Sequence, residues 1–176
     1  MKDQIALGVP WSLVDDTLGV QISLPSEKVN TKRELLSVLM AVFDPMGWMS
    51  PSLLPLKLLM QQTYIGADSC SWDEPLPSGI AASVARAISS IRLVNRLRVP
   101  RWYGNGLGFI VENQLHYFSD GSSVAYGSSV YLRQKDEHGK VSCQLVIAKS
   151  RISPATKTLS IPRRRKPSSN PVRCWM

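Results

Sequence analysis

The sequence predicts an α+β fold: an N-terminal β-hairpin, then a small helical region, then a three-stranded meander. Three patterns carry that reading. Val20, Ile22 and Leu24 alternate with Gly19, Gln21 and Ser23, the period of a half-buried strand. Ile80, Val84, Ile88 and Ile91 recur at the spacing of a single helical stripe. Val141, Cys143, Leu145 and Ile147 alternate again near the end of the chain.

The elements follow in order. Ile5–Trp11 and Leu18–Leu24 flank a polar turn around Asp15, Asp16 and Thr17, which gives the hairpin. Thr31-Lys32-Arg33-Glu34 has the form of a capping box, in which hydroxyl and carboxylate satisfy orphan amides at a helix start. Leu35, Leu39 and Val42 then share a face until Asp44-Pro45 ends the run. Ser50-Pro51 reads as an N-cap followed by proline at the first helical position, opening a helix toward Gly66 that Pro55 bends or delays. A third helix begins near Ser78. Pro100, Gly104, Gly106 and Gly108 make the next stretch loop-like. Strands are expected at Leu115–Ser119, Ala125–Gln134 and Lys140–Ala148, the last two joined by a turn at Asp136-Glu137-His138-Gly139. The resulting organisation is a hairpin (1–30), a helical region (31–94), a linker (95–113), a sheet (114–150) and a disordered basic tail (151–176).

A formal charge of +8 over 176 residues favours a polyanionic partner, nucleic acid first, because basic side chains displace counterions from phosphate. Part of that excess sits in Arg163-Arg164-Arg165-Lys166. Candidate phosphate contacts in the helical part are Lys32, Arg33, Lys57, Arg86, Arg92, Arg96 and Arg98, the last four mostly off the apolar stripe. No window has the length of a membrane span, and the N-terminus lacks the apolar run of a secretory signal. Cys70, Cys143 and Cys174 are odd in number and far apart. They argue against a zinc site or disulfide framework and fit an intracellular location, cytoplasmic or nuclear.

Several constellations suggest chemistry. Leu13-Val14-Asp15-Asp16 has the paired carboxylates that reverse transcriptases place at a hairpin turn, but without the usual aromatic residue first. An exposed Asp-Asp turn is the simpler reading. Asp120, at the end of the first strand of the meander, is the stronger candidate for a metal-binding carboxylate. Two-metal hydrolysis needs several such groups, and downstream of Asp120 only Asp136 and Glu137 remain, both in a turn. Capping of the Gly121-Ser122-Ser123 turn would also account for Asp120. Asp120-Gly121-Ser122 exchanges the last two residues of the aspartic-protease signature. His116 and His138 have no Cys or Ser partner at a recognisable spacing. The glycines 104, 106 and 108 precede no helix, as a dinucleotide motif requires.

Taken in order, "LGVPWSLVDDTLGVQISLP", "TKRELLSVLMAVFDPMGWMSP", "LKLLMQQ", "SWDEPLP", "RVPR", "YFSDGSSVAYGSSVYLR" and "AKSRISPATKTLSIPR" resemble the Pol polyprotein of BEL/Pao-type long-terminal-repeat retrotransposons. The segment resembled is the Pao retrotransposon peptidase family, from about Leu7 to Arg163. The resemblance implies a primer-grip-like hairpin, a reverse-transcriptase thumb- and connection-like helical region, and the first three strands of a ribonuclease H-like domain. Asp120 then stands at that domain's first catalytic carboxylate, and Mg2+ is the parent family's cofactor. No residues here form a peptidase pattern. In the family the segment after "SIPR" continues as Leu-Glu-Leu into a helix, and that glutamate is the second metal ligand. This chain reads Arg163-Arg164-Arg165-Lys166 instead, as a frameshift or splice would produce.

The expectation is therefore a catalytically incomplete Pol fragment that needs no cofactor of its own. Asp120 is vestigial, and the chain retains at most a weak, non-specific grip on an RNA–DNA hybrid or other nucleic acid. The alternatives are a domesticated nucleic-acid- or protein-binding module and, less favoured, an active nuclease or peptidase. The unfinished sheet is expected to leave Val141, Cys143, Leu145 and Ile147 exposed on one face.

Overall fold

The computed structural model describes residues 4–24, 28–94 and 97–154. The chain is α+β and divides into two compact units, Met1–Arg101 and Trp102–Met176. Arg96 and the basic tail after residue 154 lie outside the described residues.

In the first unit, Leu7 and Gly8 both take positive φ (51° and 82°). That is the sign pattern of a two-residue type I′ loop, whose twist matches the strands it joins. The stretch Ile5–Trp11, expected as one strand, therefore folds back on itself. Strand β1 (Gln4–Ala6) pairs antiparallel with β2 (Val9–Ser12). Strand β3 (Thr17–Gly19) is shorter than the alternation through Leu24 implies. Past Gly19 the chain leaves the sheet, burying Val20 in the core and packing Ile22 against it. A further strand β4 (Arg98–Pro100) comes from the stretch read as linker and pairs with β3, giving the order β1-β2-β3-β4.

Helix α1 (Lys32–Ala41) starts where the capping box places it. The Thr31 hydroxyl accepts from the Glu34 amide (3.3 Å), and the Glu34 carboxylate accepts from the amides of Asn30 (2.7 Å) and Thr31 (3.2 Å). Helix α2 (Ser50–Gln62) is prepared by Asp44, whose two oxygens accept from the Trp48 and Met49 amides at 2.9 and 2.7 Å. Ser50 is the first helical residue and Met49 the cap, so the serine does not cap as expected. Pro55 is accommodated within the helix. Helix α3 (Ser78–Val94) buries Ile80, Val84, Ile88 and Ile91 as one stripe. With Leu35, Val38, Met49, Leu53 and Leu56 they form the core of this unit.

Lys32, a sequence candidate for phosphate contact, is instead 5% exposed. Its ammonium donates to the carbonyls of Thr63 (2.9 Å) and Cys70 (3.2 Å) and lies 3.5 Å from the Tyr64 ring centroid. The Trp72 ring, edge-on to Tyr64, stands 5.4 Å from the same nitrogen. The four-carbon stem is buried while the charged end finds carbonyl oxygens and π faces, so burial leaves no unpaired cation. This lysine ties the start of α1 to the loop after α2. Lys32→Met strips those carbonyls of a charged donor while keeping the volume. It should lower unfolding stability by about 1–3 kcal/mol, read as a lower urea midpoint at unchanged m; an unchanged midpoint would mean that the lysine contributes nothing.

The second unit is a three-stranded antiparallel sheet of β5 (Ile110–Gly121), β6 (Ala125–Asp136) and β7 (Val141–Ile152), in that order. All three strands run longer than the sequence pattern alone indicated. Val130 pairs with Ile147 but Tyr131 with Leu145, so Val146 is an extra residue, a bulge in β7. It moves Ile147 to the face opposite Val141, Cys143 and Leu145, so the four do not share one face as expected. One face carries Leu115, Tyr117, Tyr126, Val130, Leu132 and Ile147; the other carries Asp120, Phe118, Tyr131 and Leu145.

Candidate functional site at the end of the three-stranded sheet

Asp120 is the next-to-last residue of β5, exposed, and directly opposite Gly127. Its Oδ1 accepts from the adjacent Gly121 amide at 2.9 Å. The turn that follows is held by Ser122, not by Asp120. The Ser122 hydroxyl accepts from the amides of Val124 (3.3 Å) and Ala125 (3.1 Å) and donates to the Ala125 carbonyl (3.0 Å). Among the described residues, Asp120 thus touches the turn through the Gly121 amide alone, and it is left exposed at the strand end. Gly127 leaves the carboxylate unshielded on its own face: a Cβ at Gly127 would lie 3.2 Å from the Lys149 carbonyl oxygen, so the crowding is against the backbone of β7.

The other carboxylates of this unit are elsewhere. Asp136 pairs with Ile110, ten residues along β5 from Asp120, or roughly 30 Å at about 3.3 Å per residue. It is 3% exposed and fully employed. One oxygen accepts from the Gly108 amide (3.0 Å), the other from the amides of His138 (3.0 Å) and Lys140 (2.8 Å). Those donors, the Gly108 amide foremost, hold its pKa below the ordinary carboxylate value against the opposing effect of burial. Glu112 faces Arg133 (3.4 Å) eight residues from Asp120. A two-metal centre needs carboxylates gathered within about 4 Å of a shared pair of ions. Among the described residues no group of acids fits one.

Asp15-Asp16 is a structural turn. Asp16 takes φ 48° and forms a two-pronged ion pair with Arg101 (2.7 and 3.0 Å), while the Trp11 indole donates to it at 3.0 Å. Its pKa is lowered chiefly by the Arg101 hydrogen bond. The carboxylate thus fastens the β2–β3 turn to the chain just after β4.

The cationic candidates fare differently. Arg33 makes a two-pronged pair with Asp73 (2.7 and 2.9 Å), and an Arg98 Nη donates to the Leu97 carbonyl at 3.0 Å. Lys57 is half-buried on α2. Arg86 and Arg92 are exposed on α3, with Arg86 donating to the Ser83 hydroxyl at 3.2 Å. Sequence reasoning missed Lys32's burial and the Gly108–Asp136 hydrogen bond, because neither leaves a periodic trace.

Residues 31–165 match the family model described as Pao retrotransposon-like RNaseH-like domain, and the chain belongs to that family. The matched span opens at the α1 cap and takes in all three helices as well as the sheet. No curated protein matches the chain. No helix among the described residues is long and apolar enough to cross a membrane.

Asp136 has a testable pH signature. Its folded pKa is depressed, so its contribution is present above the unfolded carboxylate pKa of about 3.9 and is lost as pH falls through the folded value. Asp136→Asn should lower Tm near neutral pH and make the acid-side fall in Tm shallower. Calorimetry from roughly pH 6 down to pH 2 measures both; parallel curves for the two proteins would refute the assignment.

Proposed function

We propose that this chain is a catalytically incomplete portion of a retrotransposon Pol polyprotein that grips nucleic acid without hydrolysing it. The observation that carries the reading is the separation of Asp120 from Asp136, together with the commitment of Asp136 to three amide donors. Asp120 is then a vestigial carboxylate, and no magnesium-dependent step is assigned to this chain. The helical body acts as a thumb- and connection-like clamp on an RNA–DNA hybrid, with the exposed Arg86 and Arg92 meeting phosphates. Arg33 contributes less, because its guanidinium is already shared with Asp73. The closed core around Leu35, Leu56, Val84 and Ile91 also supports a second reading, a folded binding module retained for another role.

Anisotropy titration of a labelled RNA–DNA hybrid at about 50 and about 200 mM salt tests the grip. The expected result is weak binding that falls steeply with salt. Arg86→Ala combined with Arg92→Ala should reduce the log–log salt slope by roughly 0.9 for each phosphate that is no longer neutralised. Absence of binding, or a slope that the double substitution leaves unmoved, would overturn the reading.

A further inference from the structure

The face of the sheet turned away from Asp120 has a composition of its own. The ladder register sets its side chains in cross-strand rows. At the turn end Tyr126 stands opposite Gly121 and Arg151; next, Ser128 stands opposite Ser119 and Lys149; then Val130 stands opposite Tyr117 and Ile147. Tyr117 and Tyr126 are 63% and 44% exposed, large values for tyrosines within a ladder. Among the described residues neither ring stacks on another aromatic, whereas on the opposite face Phe118 and Tyr131 meet edge to face at 5.8 Å. Lys149 and Arg151 are exposed, and among the described residues neither is in an ion pair. These three rows hold two cations and no carboxylate; Asp120 lies on the other face.

We infer that this face is a binding site for single-stranded nucleic acid. Tyr117 and Tyr126 stack bases, and Lys149 and Arg151 meet the phosphates running beside them. The chemistry selects that ligand. Exposed aromatic faces beside cations that are in no ion pair among the described residues, on three rows without a carboxylate, match a polyanion whose flat bases are free to leave their own stack. A duplex keeps its bases stacked internally and offers the tyrosines nothing, and an apolar partner leaves Lys149 and Arg151 without a counter-charge. Val130 faces Tyr117 and lies four residues from Tyr126 along β6, about 13 Å. The two rings therefore receive different bases of one strand. The two serines between them allow the strand to lie close to the sheet. This site is on the second unit and is independent of the hybrid grip assigned to α3.

The test uses the full chain and a labelled oligothymidylate. Tyr117→Ala and Tyr126→Ala should each weaken binding about fivefold or more, and the corresponding phenylalanine substitutions should not. Lys149→Ala with Arg151→Ala should reduce the log–log salt slope by about 0.7 per cation. The losses from Tyr117→Ala and Tyr126→Ala should be as large in a background that already carries Arg86→Ala and Arg92→Ala, so failure of the hybrid reading and failure of this one are separable. Photo-cross-linking of the unsubstituted chain to a 5-bromouridine strand does not depend on any variant folding, and it should place adducts on Tyr117 or Tyr126. Absence of single-strand binding, adducts confined to residues 31–94, or alanine variants that bind as the unsubstituted chain does would each overturn the proposal.

Discussion

An antiparallel ladder advances about 3.3 Å per residue and fixes which residues stand side by side. That constraint decides what the second unit can do. The pairing of β5 with β6 places Asp120 opposite Gly127 at one end and Asp136 opposite Ile110 at the other. No side-chain rotation closes such a gap. The carboxylates of this sheet therefore act singly: Asp120 exposed at a strand end, Asp136 sealed among three amides, Glu112 against Arg133. The same ladder assembles two dissimilar faces, one bearing Asp120 and the other bearing exposed tyrosines and cations.

The first unit rests on a different device. A lysine at the first turn of α1 would ordinarily point to solvent and work against the helix dipole. Lys32 instead reaches across to the loop after α2, where Thr63 and Cys70 carbonyls and the Tyr64 and Trp72 rings receive it. The bridge between Thr31 and Pro75, the Leu76 amide on the Asn30 carbonyl and the Arg33–Asp73 pair fasten the same loop. The basic character of this region thus partly serves to hold the fold, while Arg86 and Arg92 on α3 are exposed and, among the described residues, in no ion pair.

Much of this was legible in the residues. The capping box, the α3 stripe and the three strands of the second sheet follow from local chemistry and periodicity, and each stands in the structure. The place of Asp120 at the end of a strand was legible as well. Other features left no local signal. The β1–β2 turn uses Leu7-Gly8, and leucine at positive φ is not a turn residue by type. The bulge at Val146 is invisible because Leu145, Val146 and Ile147 are all apolar, so an alternating count runs through it and assigns Ile147 to the wrong face. Lys32 misled because a periodicity count treats every lysine as solvent-facing, and its partners lie more than thirty positions downstream. Strand β4 is three residues long within a stretch punctuated by proline and glycine; only pairing with β3 defines it.

The proposal that this member of a ribonuclease H-like family lacks a working metal centre rests on the distance between Asp120 and the other carboxylates among the described residues. Incubation of the unsubstituted chain and of Asp120→Asn with a labelled RNA–DNA hybrid in magnesium, resolved on a denaturing gel, addresses it directly. The account predicts intact hybrid in both. Magnesium-dependent cleavage by the unsubstituted chain that disappears in Asp120→Asn would contradict it.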